Sequence, residues 1–577
     1  MLLLRAAACS FVPPADRPNI VFLVVESTDG RTWQRGYSHD VIPLPNIRRL
    51  QENGVAFHRH YANAPVCCPS RATFWSGRHA HKLPHASAVR GANLSVAGAW
   101  NNYEGLPPGF DEKVNDVLGA HGYRVKMLGK TDWTAGSHSL NVRLNSWTMY
   151  TQFPYNVSAD TGWTDETADC HTNGSVAAGG GPRGAGTVYT GDWAAVEEGV
   201  AWIKNTTTPT AAPFFVYQGM LIVHPPYATN AYWYDRIDPS RVDVPRWPAL
   251  DEMHACDLQS SMLKGCLGSA ATAAYVEAPS RRRNVRRVYY AMIAEFDEMV
   301  GAYMEAVRAV AGAWERTVWI VTSDHGDMQM EHRQFYKMVP REASASVPMV
   351  ISDGRRPLAA PRVVTAPTSL IDIFPTIMEL AAVDASHLPL DGATLVPFLA
   401  PESGGGGGGA ARAPFVVSQF HGCNIAMSWF MVVQRIGGAA MKYIAWGTGA
   451  EAGAPPQLFN LSADPGEFSS LIGADGVPTT PAARAAAATL EANLRATIDY
   501  PRVATAVAQY NLDSFRAWAN ATHDWRAAMH AGDLRWTPSW DADPKGAAAA
   551  VDAWLARPAE VRACRGAVVW PPGDVGR

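Results

Sequence analysis

Three stretches of this chain run apolar without polar alternation: residues 19–25, 214–223 and 317–322. A strand with one solvated face alternates, whereas a strand covered on both faces reads apolar throughout. All three therefore predict central strands of a mostly parallel sheet. Each ends in polar residues: Glu26-Ser27-Thr28-Asp29-Gly30, His224-Pro225-Pro226 and Ser323-Asp324-His325-Gly326-Asp327. Open α/β sheets bind ligands at the carboxyl ends of their strands, so the pattern alone groups these residues at one edge. Residues 290–300 carry apolar side chains at helical spacing and predict a helix lying on the sheet. Residues 122–130 read as a turn, a strand and a glycine corner before Lys130. Residues 441–444 and 457–461 read as later strands, and the alanine-rich 482–494 as a surface helix.

Punctuation divides the chain. Residues 151–188 are rich in Gly, Asn, Thr and Asp and read as an irregular surface excursion. An uninterrupted glycine run at 404–409 is the best boundary. It predicts a catalytic domain over 18–403, a linker over 404–412 and a C-terminal subdomain over 413–577. Residues 1–17 read as a short or truncated leader, or as an ordinary chain end. At 577 residues the chain exceeds one ordinary core, which agrees with two units.

Composition narrows the function. The chain is 47% hydrophobic and 18% charged, as globular proteins are, and its net charge of −4 argues against nucleic-acid or anionic-membrane binding. An anionic substrate would have to be met by local cations. No apolar run approaches the roughly 20 residues that span a bilayer. Asn-x-Ser/Thr sequons at Asn93, Asn156, Asn173, Asn205, Asn460 and Asn520 point to the secretory pathway. Of the eight cysteines, Cys256 and Cys266 are spaced for a local bridge.

Cys67-Cys68-Pro69-Ser70-Arg71 opens a segment that closes at Gly77. Proline suits the first turn of a helix and glycine its stop, so a loop bearing Cys67 should run into a short helix. A helix N-terminus offers unpaired N–H groups to a tetrahedral anion, and Arg71, one turn in, can return to that seat as a forked donor. Glu26 and Asp29 either hold a hard divalent cation or begin a loop and cap a helix.

Cys67 to Arg71 with Gly77-Arg78, the Gly129-Lys130 pair and Asp324-His325-Gly326 followed by Lys337 together resemble the sulfatase family. The resemblance implies an alkaline-phosphatase-like sandwich: a large mixed, mostly parallel sheet flanked by helices, with a smaller C-terminal α+β subdomain built on an antiparallel sheet. It implies that Cys67 is oxidised to formylglycine by a formylglycine-generating enzyme, and that one divalent cation, Ca2+, is bound by Glu26, Cys67, Asp324 and His325. The family places consecutive aspartates where this chain has Glu26-Ser27, which leaves Asp29 open as an alternative ligand. Lys130 and Lys337 are implied as sulfate-binding cations and Arg71 as a catalytic one. His224, or else His254, would protonate the leaving oxygen; His254 is otherwise a substrate contact, and His138 would deprotonate the nucleophile's second hydroxyl. The segments 331–338, 420–424 and 500–503 resemble one lysosomal branch of the family, which removes the 2-O-sulfate of glucuronate in glycosaminoglycans. A phosphodiesterase or phosphonate hydrolase, or an inactive carbohydrate-binding relative, is the alternative.

Overall fold

The computed structural model describes residues 17–83, 98–99, 102, 105–134, 155–156, 173–183, 186–208, 211–263, 266, 275, 277–400, 412–421, 428–447, 454–530, 544–556 and 568–569. His138, the glycine run and the first sixteen residues fall outside these. Strands β1 (Asn19–Val25), β2 (Val55–Tyr61), β3 (Arg124–Gly129), β4 (Phe214–Gly219), β5 (Thr317–Ser323), β6 (Ser346–Asp353) and β7 (Arg362–Val364) form one sheet in the order β7-β2-β6-β5-β1-β4-β3. β3, β4, β1 and β5 run parallel, and β6 runs antiparallel to both its neighbours. The three apolar runs thus lie side by side at the centre of a mixed, mostly parallel sheet.

Every residue of β1 is buried because both faces are covered. Val21, Leu23 and Val25 pack into the layer of α2 (Pro279–Arg308), while Ile20, Phe22 and Val24 pack into that of α1 (Cys67–Ser76) and α3 (Ile373–Leu380). Side chains that alternate across the pleat therefore feed opposite layers. The helix read over 290–300 is the middle of α2, which is 30 residues long.

The apolar run over 214–223 is strand only as far as Gly219. Beyond it the chain stays beside the end of β1 through Met220 N–H to Val24 O, Glu26 N–H to Ile222 O and Val223 N–H to Glu26 O. Close packing of Met220, Ile222 and Val223, rather than strand geometry, accounts for their apolar character, while Leu221 is exposed.

A second, antiparallel sheet comprises β8 (Phe415–Phe420), β9 (Trp429–Ile436), β10 (Ala439–Trp446) and β11 (Gln457–Asn460) in sequence order. One face meets the loop after β5, where Met328, Met338 and Val339 join its core, and the other carries α4 (Pro481–Thr497). α4 is half sunk rather than a purely surface helix, with Ala483, Ala486, Ala487, Leu490 and Leu494 buried. Lys442 of β10, fully buried, pairs with Glu342 at 2.7 Å and Glu467 at 2.8 Å, tying this sheet to the segment that precedes β6. Cys256 and Cys266 are disulfide-bonded. Among the described residues, no helix is long and apolar enough to cross a membrane.

Candidate active site

The carboxyl ends of β1, β4 and β5 converge on the start of α1. Cys67 is the first residue of that helix, with Val66 as its cap, and Pro69 falls in its first turn as read from the sequence. Gly77 closes it in the left-handed region at φ 67°, where only glycine is unstrained. All ten residues of α1 are buried, so the segment is held from every side. The Cys68 N–H donates to Asn102 Oδ1 at 3.1 Å, and Ser70 Oγ donates to the Asp324 carbonyl.

Glu26 is the hub. Its Oε1 accepts from Cys67 Sγ at 2.9 Å and lies 3.4 Å from Lys337 Nζ and 3.3 Å from His325 Nε2. Its Oε2 lies 2.7 Å from Arg71 and 3.1 Å from Lys130. Lys337 Nζ also donates to Cys67 Sγ at 2.9 Å. Ligand atoms of Glu26, Cys67, Asp324 and His325 all fall within 4.8 Å of one another. His325 Nε2, though fully buried, makes no aligned hydrogen bond, so a donor atom is left turned into the cluster.

Two glycines deliver Lys130. Gly129 is left-handed at φ 66°, and a Cβ there would meet Gly219 O at 1.9 Å; a Cβ on Gly219 would meet Lys130 O at the same distance. The ends of β3 and β4 therefore pass closer than any side chain allows.

Opposing effects set the ionisation of the cluster. Burial and Glu26 push the Cys67 thiol up, but Lys130, Lys337 and a hydrogen bond from His224 outweigh them and hold it well below the usual thiol range. Burial likewise raises Glu26, and Lys130, Arg71 and Lys337 together hold it well below the carboxylate range. Burial would lower His325, yet the adjacent Asp324 carboxylate carries it up to about 9. Burial pushes Asp324 up, with Arg71 opposing.

Arg71 sits otherwise than the sequence predicts. Its guanidinium does not fork onto an open anion seat: Nε donates to Asp324 Oδ2 at 2.9 Å, one terminal nitrogen to Glu26, and the other to Lys130 O at 3.0 Å and Tyr217 Oη at 2.8 Å. It clamps the two carboxylates at fixed separation. Asp29 is engaged by Arg31 through both oxygens and by Gln329, away from the four-residue cluster. His224 helps to lower the Cys67 thiol, whereas His254 stacks on Trp446 at 5.1 Å, donates Nε2–H to Pro455 O at 3.0 Å and accepts the Cys256 N–H at Nδ1. Both ring nitrogens of His254 thus serve the backbone of its surroundings.

Sequence reasoning missed the groups that aim these side chains. Asp327 Oδ1 accepts the N–H of Gln329 at 2.9 Å and of Tyr336 at 3.1 Å, shaping the loop that presents Lys337. In that loop Gln329, Met330, His332, Arg333, Tyr336 and Met338 all have positive φ without being glycine. Each such residue costs of order 1 kcal/mol, so the path is imposed by its surroundings rather than by local preference. Asp327, a second acid after the end of β5, was the one visible cue.

Comparison with known proteins fits this geometry. A family model described as "Sulfatase" matches residues 18–383. "Arylsulfatase K" of Danio rerio is 34% identical over 554 residues, covering 94% of this chain and 95% of the relative. "Arylsulfatase K" of Homo sapiens is 32% identical over 557 residues, covering 94% and 93%. Among solved structures, a phosphonate monoester hydrolase of Agrobacterium radiobacter superposes with a TM-score of 0.56 at 22% identity, over 84% of this chain and 97% of that one. A 2-O GAG sulfatase does so with a TM-score of 0.55 at 17% identity, over 84% and 93%. At these identities the two structures show a shared fold.

Proposed function

Because this chain belongs to the sulfatase family and is a sulfatase enzyme, we propose that it removes the 2-O-sulfate of a uronate from a glycosaminoglycan-like polysaccharide, acting from a chain end. The observation that carries the site is the meeting of Cys67 with Glu26, Asp324, His325 and two buried or half-buried lysines at one sheet edge. The uronate preference rests on segments 331–338, 420–424 and 500–503, which resemble the branch with that specificity.

Sulfate monoesters hydrolyse slowly because their charge repels nucleophiles and an alkoxide leaves poorly. Formylglycine made from Cys67 by a formylglycine-generating enzyme supplies, when hydrated, an oxygen nucleophile and a route for releasing sulfate afterwards, neither of which a thiol offers. A divalent cation, here Ca2+, would be held by Glu26, Asp324, His325 and the group at position 67, and when bound supplies charge to the sulfate and acidifies the nucleophile. The donor set fits on one condition. Two carboxylates suit a hard cation, but a thiol sulfur does not, so the site is completed for Ca2+ once position 67 bears oxygen.

The chain's own residues do the rest. Lys130 and Lys337 approach Glu26 from opposite oxygens and flank the place where the sulfate would sit, drawing charge from its oxygens as the ester bond breaks. Arg71 keeps Glu26 and Asp324 in register. His224 gives a proton to the departing sugar oxygen. His138 takes one from the nucleophile's second hydroxyl, and His254 helps wall the substrate. Exposed sequon residues Asn205 and Asn520 accept glycans on a lysosomal or secreted protein. The Gly-rich linker over 404–412 separates catalytic domain and C-terminal subdomain.

Mass spectrometry of the peptide containing Cys67, from protein secreted by cells able to make formylglycine, tests the reading. A loss of about 18 Da marks the aldehyde, and release of sulfate from a 2-O-sulfated glucuronate disaccharide then marks the substrate. An unmodified thiol with activity on phosphate esters would replace the reading with the phosphodiesterase alternative. An unmodified thiol with neither activity would replace it with a carbohydrate-binding relative.

A further inference from the structure

Tyr336 immediately precedes Lys337, yet it serves a different partner. Its hydroxyl lies 2.8 Å from His224 Nε2, with the two rings edge to face at 89° and 5.5 Å between centroids. The other ring nitrogen, Nδ1, faces the Pro225 carbonyl oxygen at 2.5 Å. A carbonyl only accepts, so Nδ1 carries hydrogen; in the neutral ring Nε2 is then the acceptor and Tyr336 O–H the donor. The imidazole is held at both ends, which fixes its tautomer and the plane of its ring. The same histidine helps to lower the Cys67 thiol, so the ring that Tyr336 holds lies beside the reacting centre.

The backbone is bent to make this contact. Tyr336 has φ 72°, and its peptide is fixed on both sides, by Tyr336 N–H to Asp327 Oδ1 and by Met328 N–H to Tyr336 O at 2.7 Å. Left-handed backbone at a tyrosine is unfavourable by itself, so two hydrogen bonds hold a conformation whose effect is to aim the ring. The aromatic face is used as well: Lys337 Nζ sits 4.3 Å from its centroid. One side chain thus touches both the proton donor and a sulfate cation proposed above.

We propose that Tyr336 is a positioning residue for His224, a role that rests on the sulfatase reading and extends it. In the step it serves, the bond from sulfur to the sugar oxygen breaks, and its electron pair stays on that oxygen. In the ring protonated at both nitrogens the single Nε2–H is shared between Tyr336 Oη and the departing oxygen; that oxygen takes the proton, and the neutral ring left behind accepts the Tyr336 O–H. Without the hydroxyl, the ring loses the partner that keeps Nε2, rather than Nδ1, toward the leaving group.

The test uses the full chain with its formylglycine content measured, as wild type, Tyr336→Phe, His224→Asn and the double variant. Phenylalanine keeps the ring under Lys337 and removes only the hydroxyl. Proton donation matters for a poor leaving group and little for a good one, so a 2-O-sulfated uronate disaccharide is compared with 4-nitrophenyl sulfate. Tyr336→Phe is expected to lower kcat on the sugar sulfate about tenfold more than on the aryl sulfate, with KM within about twofold of wild type. Added to His224→Asn, it should cost less than about twofold further. Equal losses on the two substrates, no loss on the sugar sulfate, or additive losses in the double variant would overturn the proposal while leaving the sulfatase reading standing. A formylglycine-bearing wild type that cleaves neither sulfate would overturn both.

Discussion

Replacing Lys337 by methionine tests how much of the rate comes from one preorganised cation. Lys337 is fully buried, with Nζ 2.9 Å from Cys67 Sγ and 3.4 Å from Glu26 Oε1. At an effective dielectric of about 20, unit charges about 3 Å apart interact by about 5 kcal/mol. Only part of a charge shifts between ground and transition state, roughly half, so the differential contribution is about 2–3 kcal/mol, or about 30- to 150-fold in kcat. Methionine has a similar length and an apolar head, and it fits a site lined by Tyr336 without leaving a large cavity. The assay is steady-state hydrolysis of an aryl sulfate, with rates normalised to formylglycine content, because the residue touches Cys67 and its loss could alter maturation. A normalised loss under about fivefold would refute the reasoning, since a dry, fixed cation next to the reacting group cannot be worth so little. A large loss confined to KM would also refute it, by showing uniform binding rather than stabilisation of developing charge.

Arg71→Lys should weaken cation binding more than it weakens the fold: a single ammonium cannot bridge Glu26 and Asp324, which the guanidinium joins at 2.7 and 2.9 Å. Titrating Ca2+ into the chelator-treated variant and following its thermal midpoint should show at least about tenfold lower affinity than wild type, and equal affinities would count against the clamp. Glu295, on α2 and fully buried, gives a pH dependence outside the site. Burial pushes its carboxyl up to about 7 despite a hydrogen bond from Trp193, and Asp192 adds to the rise. A carboxyl whose folded pKa exceeds its unfolded value of roughly 4.3 contributes stability that is complete below that value and is lost as pH rises through the folded pKa. Resistance to urea should therefore be greater at about pH 5 than at about pH 8, and Glu295→Gln should shrink the difference by on the order of 1–2 kcal/mol. An unchanged pH dependence in Glu295→Gln would refute the assignment.

What could be read from sequence was what depends on short-range pattern. β1, β4 and β5 were legible because burial on both faces removes polar alternation over several consecutive residues, and a strand's end is visible where polarity returns. That placed Glu26, His224 and Asp324 at one edge before any coordinates. The extent of α2 was not legible. Its first third carries five arginines, whose charge masks the helical period although Arg281 and Arg286 are buried. Arg286 is tolerated inside because it pairs with Asp243 and Glu331, residues far from it in the chain.

The same limit explains Arg71. Read locally, an arginine one turn into a helix belongs to that helix's anion seat. In the fold it is claimed by Glu26, 45 residues away, and Asp324, 253 residues away. A buried carboxylate is costly unless it is paired, and the site buries two within reach of one guanidinium. Arg71 bridges both carboxylates at 2.7 and 2.9 Å, whereas the lysines, one from each flank, meet Glu26 at 3.1 and 3.4 Å. Lys130 is partly exposed and Lys337 fully buried, so one approaches from the mouth and the other from the floor. A sulfate gripped between them would have its ester oxygen directed outward, toward His224 and the half-buried Tyr336 at the site's edge. The proposed division between clamp, grip and proton donor follows from how tightly the fold pairs each charge, and that pairing joins residues from 45 to 311 positions apart in the chain.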